Sequence, residues 1–293
     1  NDDYVVSGFI YLCAALGIYG NVCFILTIYR TKELQHSRAY LLSTLCVMHI
    51  IVLIVFFVSR IFYTYNIQTT RQTCLIIYSI PPGIYAASRH AMLYLVLIVD
   101  ILIALAAPIR YNTLPRLRYV IGIQTPCFVY GFGLIIAHIF APTQTGIVTN
   151  QCIFADVYES SITNFRIQFG TALNIAIVVL YLIVIGLLLT HRHLRVHRQA
   201  IKGVMILALV FVLTQFLVYA VAYAGNFNPE PVASHIKAFH KKYAITYALL
   251  NYCLTYYVHF FLSKDYRKVL ARTGVCGVYY HKLKSAQIGI TVI

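Results

Sequence analysis

Residues 80–111 read "IPPGIYAASRHAMLYLVLIVDILIALAAPIRY". Between Pro82 and Pro108 this stretch holds two charges, Arg89 and Asp100, and is otherwise almost wholly apolar. At 1.5 Å per residue, a helix over 83–107 would be about 37 Å long. That exceeds the ~30 Å hydrocarbon core of a bilayer. The run is apolar on all sides, with no polar face to turn to water, so it reads as a membrane-spanning helix.

The rest of the chain repeats this pattern. Runs long and apolar enough to span lie at 5–29, 39–63, 75–106, 120–141, 167–190, 203–225 and 244–262. The 293 residues are 60% hydrophobic and 11% charged, with a mean hydropathy of +0.77. Soluble domains carry roughly 25% charged residues. The runs are apolar throughout, without the dyad alternation of barrel strands. The expected fold is therefore all-α: a seven-transmembrane helix bundle forming one domain over 1–293. The first run follows Asn1, Asp2 and Asp3 and contains Asn21. It lacks the basic flank of a signal peptide, so it is expected to be a retained span.

Charge sets the expected orientation. Arg30, Lys32 and Arg38 follow run one, Arg110, Arg116 and Arg118 follow run three, and Arg192, Arg195, Arg198 and Lys202 follow run five. The tail adds Lys264, Arg267, Lys268, Arg272, Lys282 and Lys284. These are sixteen of the 23 basic residues, and such a bias marks the cytoplasmic side. The N-terminus is then extracellular, the C-terminus cytoplasmic, and the plasma membrane the expected location. The net charge of +15 follows from this bias, and no nucleic-acid motif accompanies it, so no nucleic-acid partner is expected. With no Trp and 25 Tyr, tyrosine must supply the interfacial belt.

Cys13, Cys23, Cys46, Cys127 and Cys253 lie inside apolar runs and read as small buried hydrophobes. Cys74 and Cys152 are the two on the expected outer face, where oxidising conditions permit a bridge. Cys276 in the basic tail is a candidate for lipidation, and a free thiol fits equally well. The connection "GNFNPEPVASHIKAFHKK" (225–242) has two prolines that argue against helix at its start. After the last run, "SKDYRKVLAR" (263–272) reads as a short amphipathic helix with Tyr266, Val269 and Leu270 on one face. Its cations would lie against anionic membrane lipids.

Several motifs resemble those of rhodopsin-like G-protein-coupled receptors. "YGNVCFI" resembles the Gly-Asn of the first helix, with Asn21 as the polar anchor. "LLSTLCVMH" has the frame of the second helix with His49 in place of Asp, and "DILIALAAPIRY" has the Asp-Arg-Tyr frame with Ile101 in place of Arg. "TYYVHFFLSKDYRK" is similar to Asn-Pro-x-x-Tyr followed by a kept Ser-Lys-x-Tyr-Arg, while Thr255, Tyr256 and His259 replace the family residues. The sixth helix lacks the family's Trp and Pro, and the Cys74 and Cys152 pair matches. This degraded pattern resembles the nematode serpentine chemosensory receptors, and the stretch at 80–111 most resembles class sx.

The resemblance implies roles for residues that are already unusual on physical grounds. Charge inside a bilayer is costly and marks a candidate functional site. Arg89 lies 11 residues before Asp100, about 16 Å along a helix. Near mid-membrane it would either bond backbone carbonyls freed by Pro81 and Pro82, snorkel outward, or meet an anionic ligand group. Tyr85, Ser88, Arg89, Gln168, Gln215, Tyr219, Tyr223 and Tyr247 are candidate ligand-binding residues, in the outer half where helical bundles open pockets. Asn21, His49, His90 and Asn251 form a candidate intramembrane polar cluster at the family's sodium site. Imidazoles are poor ligands for a hard cation, so sodium binding is expected to be lost, and no metal or cofactor is implied.

Asp100, Ile101, Pro108, Arg110, Arg195, Arg198, Lys264 and Arg267 would face a G protein. Without a neighbouring arginine, Asp100 could pair with Arg110, Arg116 or Arg118, or sit solvated at a helix end. The expected function is a G-protein-coupled chemosensory receptor with an unknown small-molecule ligand and a heterotrimeric G protein as partners. The absence of any nucleophile, metal-hydrolase or phosphate-loop motif argues against an enzyme. A non-coupling receptor or co-receptor of the same fold is the alternative, and a channel or transporter the third reading.

Overall fold

The computed structural model describes residues 2–70, 73, 83–140, 148–149, 160–190, 203–215, 218, 232–262, 266–267 and 269. They form a bundle of helices: α1 (Asp2–Arg30), α2 (Ser37–Thr64), α3 (Gly83–Ala106), α4 (Pro108–Thr113), α5 (Arg116–Phe140), α6 (Ser160–Thr190), α7 (Gly203–Gln215) and α8 (Val232–Leu262). By length and composition, α1, α2, α3, α5 and α6 can each cross a membrane. Among the described residues α7 is a shorter apolar helix, as is the Ala248–Leu262 part of α8.

The described helices overlap the apolar runs. α3 is described from Gly83, while 75–82 lie outside the described residues. α8 begins at Val232, immediately after Pro231, and not at 244. The prolines mark the boundary, as their missing N–H and fixed φ require, and the helix then runs through the Lys-rich part of the expected loop. The loop expected after run three also contains a helical turn, α4, with Pro108 at its first position, where a proline lacks no needed donor. His36 caps α2, its Nδ1 accepting from the Ala39 N–H at 3.3 Å.

α3 is the central helix. It packs on α2, α5 and α6, while α1 packs on α2 and α8. Two-thirds of the apolar window of α3 is buried inside the protein (67%), against 22% for α6. Small residues set the closest approaches. A Cβ at Gly17 would lie 2.7 Å from Leu53 Cδ1 and 2.8 Å from Cys253 Sγ, so α1, α2 and α8 meet there at a spacing only glycine allows.

The end of α3 and the starts of α2 and α5 meet at one end of the bundle, where Arg38 bonds Asp100 and Arg116 bonds the Gln35 carbonyl. At the other end, Thr69 pairs antiparallel with Thr149, and Thr70 with Val148. That ties the connection after α2 to the connection after α5. Cys74 and Cys152 lie just past this pair, outside the described residues. Beyond α8, residues 266, 267 and 269 are helical. Tyr266 is buried and stacks on Phe24 of α1 at 5.2 Å, and Val269 is buried with it. Tyr266 and Val269 of the expected juxtamembrane helix thus pack into the bundle core.

Candidate functional site

Asp100 is fully buried at the basic end (0% exposed). A lone carboxylate there would cost several kcal/mol in lost hydration. Three donors compensate it. Arg38 Nε donates to Oδ2 at 2.9 Å. Tyr111 Oη donates to Oδ1 at 2.9 Å and Tyr119 Oη to the same oxygen at 3.0 Å. The four residues come from α2, α3, α4 and α5, so one carboxylate ties four helices. Loss of solvent and the adjacent Asp100 carboxylate push the Tyr111 phenol well up, which keeps it a donor at neutral pH.

This overturns the expected pairing of Asp100. Arg110 and Arg118 stay exposed, and Arg116 donates to the Gln35 carbonyl at 2.8 Å. The physical reason is direction. Arg38, the second residue of α2, turns inward onto Asp100, whereas Arg110 and Arg118 turn outward to solvent. Ile101, one residue on, is fully buried in the hydrophobic core. Sequence reading missed Arg38, Tyr111 and Tyr119 as the partners, and it missed Ile109. That residue projects from α4 with 82% of its surface exposed.

The four residues of the candidate intramembrane cluster lie on α1, α2, α3 and α8. Asn21, His49, His90 and Asn251 are all buried. Asn21 Nδ2 donates to the Gly17 carbonyl at 2.8 Å and to the Tyr252 carbonyl at 2.9 Å. His49 Nδ1 pairs with Thr255 Oγ1 at 3.2 Å, and Tyr94 Oη donates to Asn251 Oδ1 at 2.9 Å. The His49 and His90 rings sit edge to face, centroids 6.4 Å apart, both against Tyr252. Tyr94 stacks on Phe211 of α7 at 4.2 Å. Tyr94 thereby links the cluster to α7.

Arg89 is buried (2% exposed) and aims at α5. Its guanidinium lies over the Phe128 ring at 3.9 Å and the Tyr85 ring at 4.8 Å. It donates to Tyr85 Oη at 2.7 Å and to Gln124 Oε1 at 3.1 Å. Among the described residues, aromatic faces and two neutral acceptors hold it. A Cβ at Gly131 would fall 2.6 Å from Tyr85 and 3.0 Å from Arg89 Cγ, so the missing side chain makes the room.

Of the other ligand candidates, Ser88 and Gln215 are buried, and Ser88 Oγ has no partner among the described residues. Gln168 is exposed. Tyr219 and Tyr223 lie outside the described residues, as does the side chain of Tyr247. At the basic end, Pro108 opens α4 and Arg267 donates to the Phe261 carbonyl at 3.2 Å. Arg195, Arg198, Lys264 and Cys276 lie outside the described residues.

No curated protein sequence matches the chain. A family model does, that of the serpentine type 7TM GPCR chemoreceptor Srsx, over residues 14–273. That span runs from the first helix past Tyr266 and Val269 and takes in the Asp100 hub, the histidine cluster and the buried Arg89. The chain is a multi-pass membrane protein and belongs to the Srsx family of serpentine seven-transmembrane chemoreceptors.

Proposed function

We propose that this receptor binds a small molecule in the half of the bundle away from the Asp100 hub and signals through a heterotrimeric G protein at the hub end. The N-terminus is then extracellular, the basic end cytoplasmic, and the protein resident in the plasma membrane. One observation carries the coupling reading. The hub holds α4 against the bundle through Tyr111, and α4 presents Ile109 bare to solvent. An exposed apolar side chain on an ordered, basic helix suits a partner with a complementary apolar pocket. The missing arginine at 101 therefore does not leave this face unbuilt. Ser88 and Gln215 are the ligand-facing residues this reading favours, with Tyr219, Tyr223 and Tyr247 as further lining residues. A Cys74–Cys152 bridge would close the outer end, a reading that the strand pair at 69–70 and 148–149 supports.

The sealed position of Ile101 favours a second reading, a receptor of the same fold that binds without catalysing nucleotide exchange. The test is reconstitution with a panel of Gα subunits and a library of soluble and volatile compounds, reading binding and nucleotide exchange side by side. Ligand-dependent exchange that falls sharply on Ile109→Ala supports coupling. Binding with no exchange on any Gα refutes it and leaves the second reading.

A further inference from the structure

His36 stands where the connection from α1 turns into α2, and it is partly open to solvent. Its ring is the side-chain cap of α2. Nδ1 accepts from the Ala39 N–H at 3.3 Å. The His36 carbonyl accepts from the same N–H at 3.0 Å and from the Tyr40 N–H at 3.3 Å. Asn, Asp, Ser and Thr are the usual residues at this position, and none of them changes charge between pH 5 and 8. Histidine does. An accepting Nδ1 carries no proton, so the cap exists only with the neutral ring, whose one proton is then on Nε2.

Three features of the geometry oppose a second proton. It would turn Nδ1 from an acceptor into a donor that faces an N–H. It would set a cation at the N-terminal end of α2, the positive end of the helix dipole. It would also stand two residues from Arg38, whose own charge is held on Asp100 at 2.9 Å. The other groups around the ring do not reverse this. Asp100 of α3 attracts a charged ring, but it already accepts from Arg38, Tyr111 and Tyr119. His259 of α8 brings a second imidazole, and Arg116 of α5 bonds the carbonyl of the neighbouring Gln35. Loss of solvent first, and Arg38 second, accordingly pull the His36 imidazole below its usual range. In an unfolded chain a histidine takes its proton near pH 6.5. The cap therefore contributes fully above about pH 6.5 and is lost as pH falls below that toward the folded value.

Ser37 and Arg38 are the first two residues of α2. The turn that His36 closes is thus the turn that carries Arg38 to Asp100. We infer that His36 is a pH-sensitive latch on the Asp100 hub: acidification at this end of the bundle uncaps α2 and frays the turn that presents Arg38 to Asp100. The inference stands on the cap and the hub, and needs neither a ligand nor a G protein. On the orientation proposed above, the compartment sensed is the cytosol.

The test uses the full chain in nanodiscs at pH 7.5 and pH 5.5. Amide hydrogen exchange is read as protection relative to the unstructured rate at each pH. His49, His90 and His259 are present in every variant, so the informative quantity is the difference between variants. On acidification, protection of amides 39–41 should fall about three-fold more in the parent than in His36→Asn, whose side-chain oxygen caps at both pH values. Three-fold is the low end of what a cap contributes, because the Ala39 N–H is shared with a carbonyl. His36→Ala, with no cap, should show the lower protection at both pH values. The unfolding midpoint should follow, with the parent losing about 2 °C more than His36→Asn between the two conditions. Should His36→Asn fail to fold, the comparison of the parent with His36→Ala decides. An acid response in His36→Asn or His36→Ala equal to that of the parent would overturn the inference, as would amides 39–41 that keep their protection at pH 5.5 in the parent.

Discussion

Arg38→Met tests the hub most directly. The change keeps the aliphatic stem of Arg38 and removes the charge that faces a carboxylate with no solvent contact. Breaking a buried ion pair costs about 3–5 kcal/mol, because the survivor stays buried and uncompensated. Here Asp100 retains the two phenol donors of Tyr111 and Tyr119, so the low end applies, about 3 kcal/mol. For a protein of this size that corresponds to a fall of roughly 6–12 °C in the unfolding midpoint. Asp100→Asn alone should cost less, since an amide oxygen still accepts from both phenols. The double variant should cost less than the two singles summed, with a coupling of about 2 kcal/mol. The midpoint can be followed in detergent with a thiol-reactive dye, because Cys23, Cys46 and Cys127 are buried and report unfolding. A midpoint for Arg38→Met within about 1 °C of the parent, or additive losses in the double variant, would refute the assignment of Arg38 as the partner that neutralises Asp100.

Three further outcomes are expected. Ile101→Arg places a guanidinium in a fully buried apolar site; it should destabilise the closed bundle and raise basal nucleotide exchange, and unchanged exchange in a folded variant would mean that position 101 does not limit coupling. Gly17→Ala forces a methyl to within 2.8 Å of Cys253 Sγ, and overpacking of this kind costs about 1–3 kcal/mol, measurable by the same dye assay. The Tyr111 phenol titrates higher in the folded protein than in the unfolded chain. Unfolded chains therefore gain from losing that proton first, so stability should fall as pH rises past about 10. Tyr111→Phe should flatten part of that alkaline slope, and an unchanged slope would contradict the shift.

The apolar runs were legible because each span must satisfy its own backbone in lipid, which forces about 20 apolar residues whatever the sequence otherwise does. Asn21, His49, His90 and Asn251 were singled out through the family frame, and all four are buried. The Arg38–Asp100 pair was not. Its members lie 62 residues apart, and Arg38 reads in sequence as one more loop cation in an orienting cluster. Only the way α2 starts beneath α3 turns it inward. Arg89 shows the same limit. Its charge and depth were evident, but its cage of Phe128, Tyr85 and Gln124 depends on how α3 crosses α5 at Gly131, and no periodicity encodes that. Ile109 was hidden for the opposite reason: an apolar residue after an apolar run gives no signal until α4 is seen to turn that side chain outward.

The Asn21 bond to the Tyr252 carbonyl has a consequence for how the receptor is made. Its two ends are 231 residues apart, and at about 5–20 residues per second the ribosome delivers the second some tens of seconds after the first. For that interval the first span sits in the membrane with its amide bonded only to its own helix at the Gly17 carbonyl. A partner that shields polar groups of unfinished spans would be needed for that time. A chain halted before the eighth helix would carry an exposed tag for quality control, so nonsense truncations late in this gene should be cleared at the endoplasmic reticulum and fail to accumulate as stable fragments.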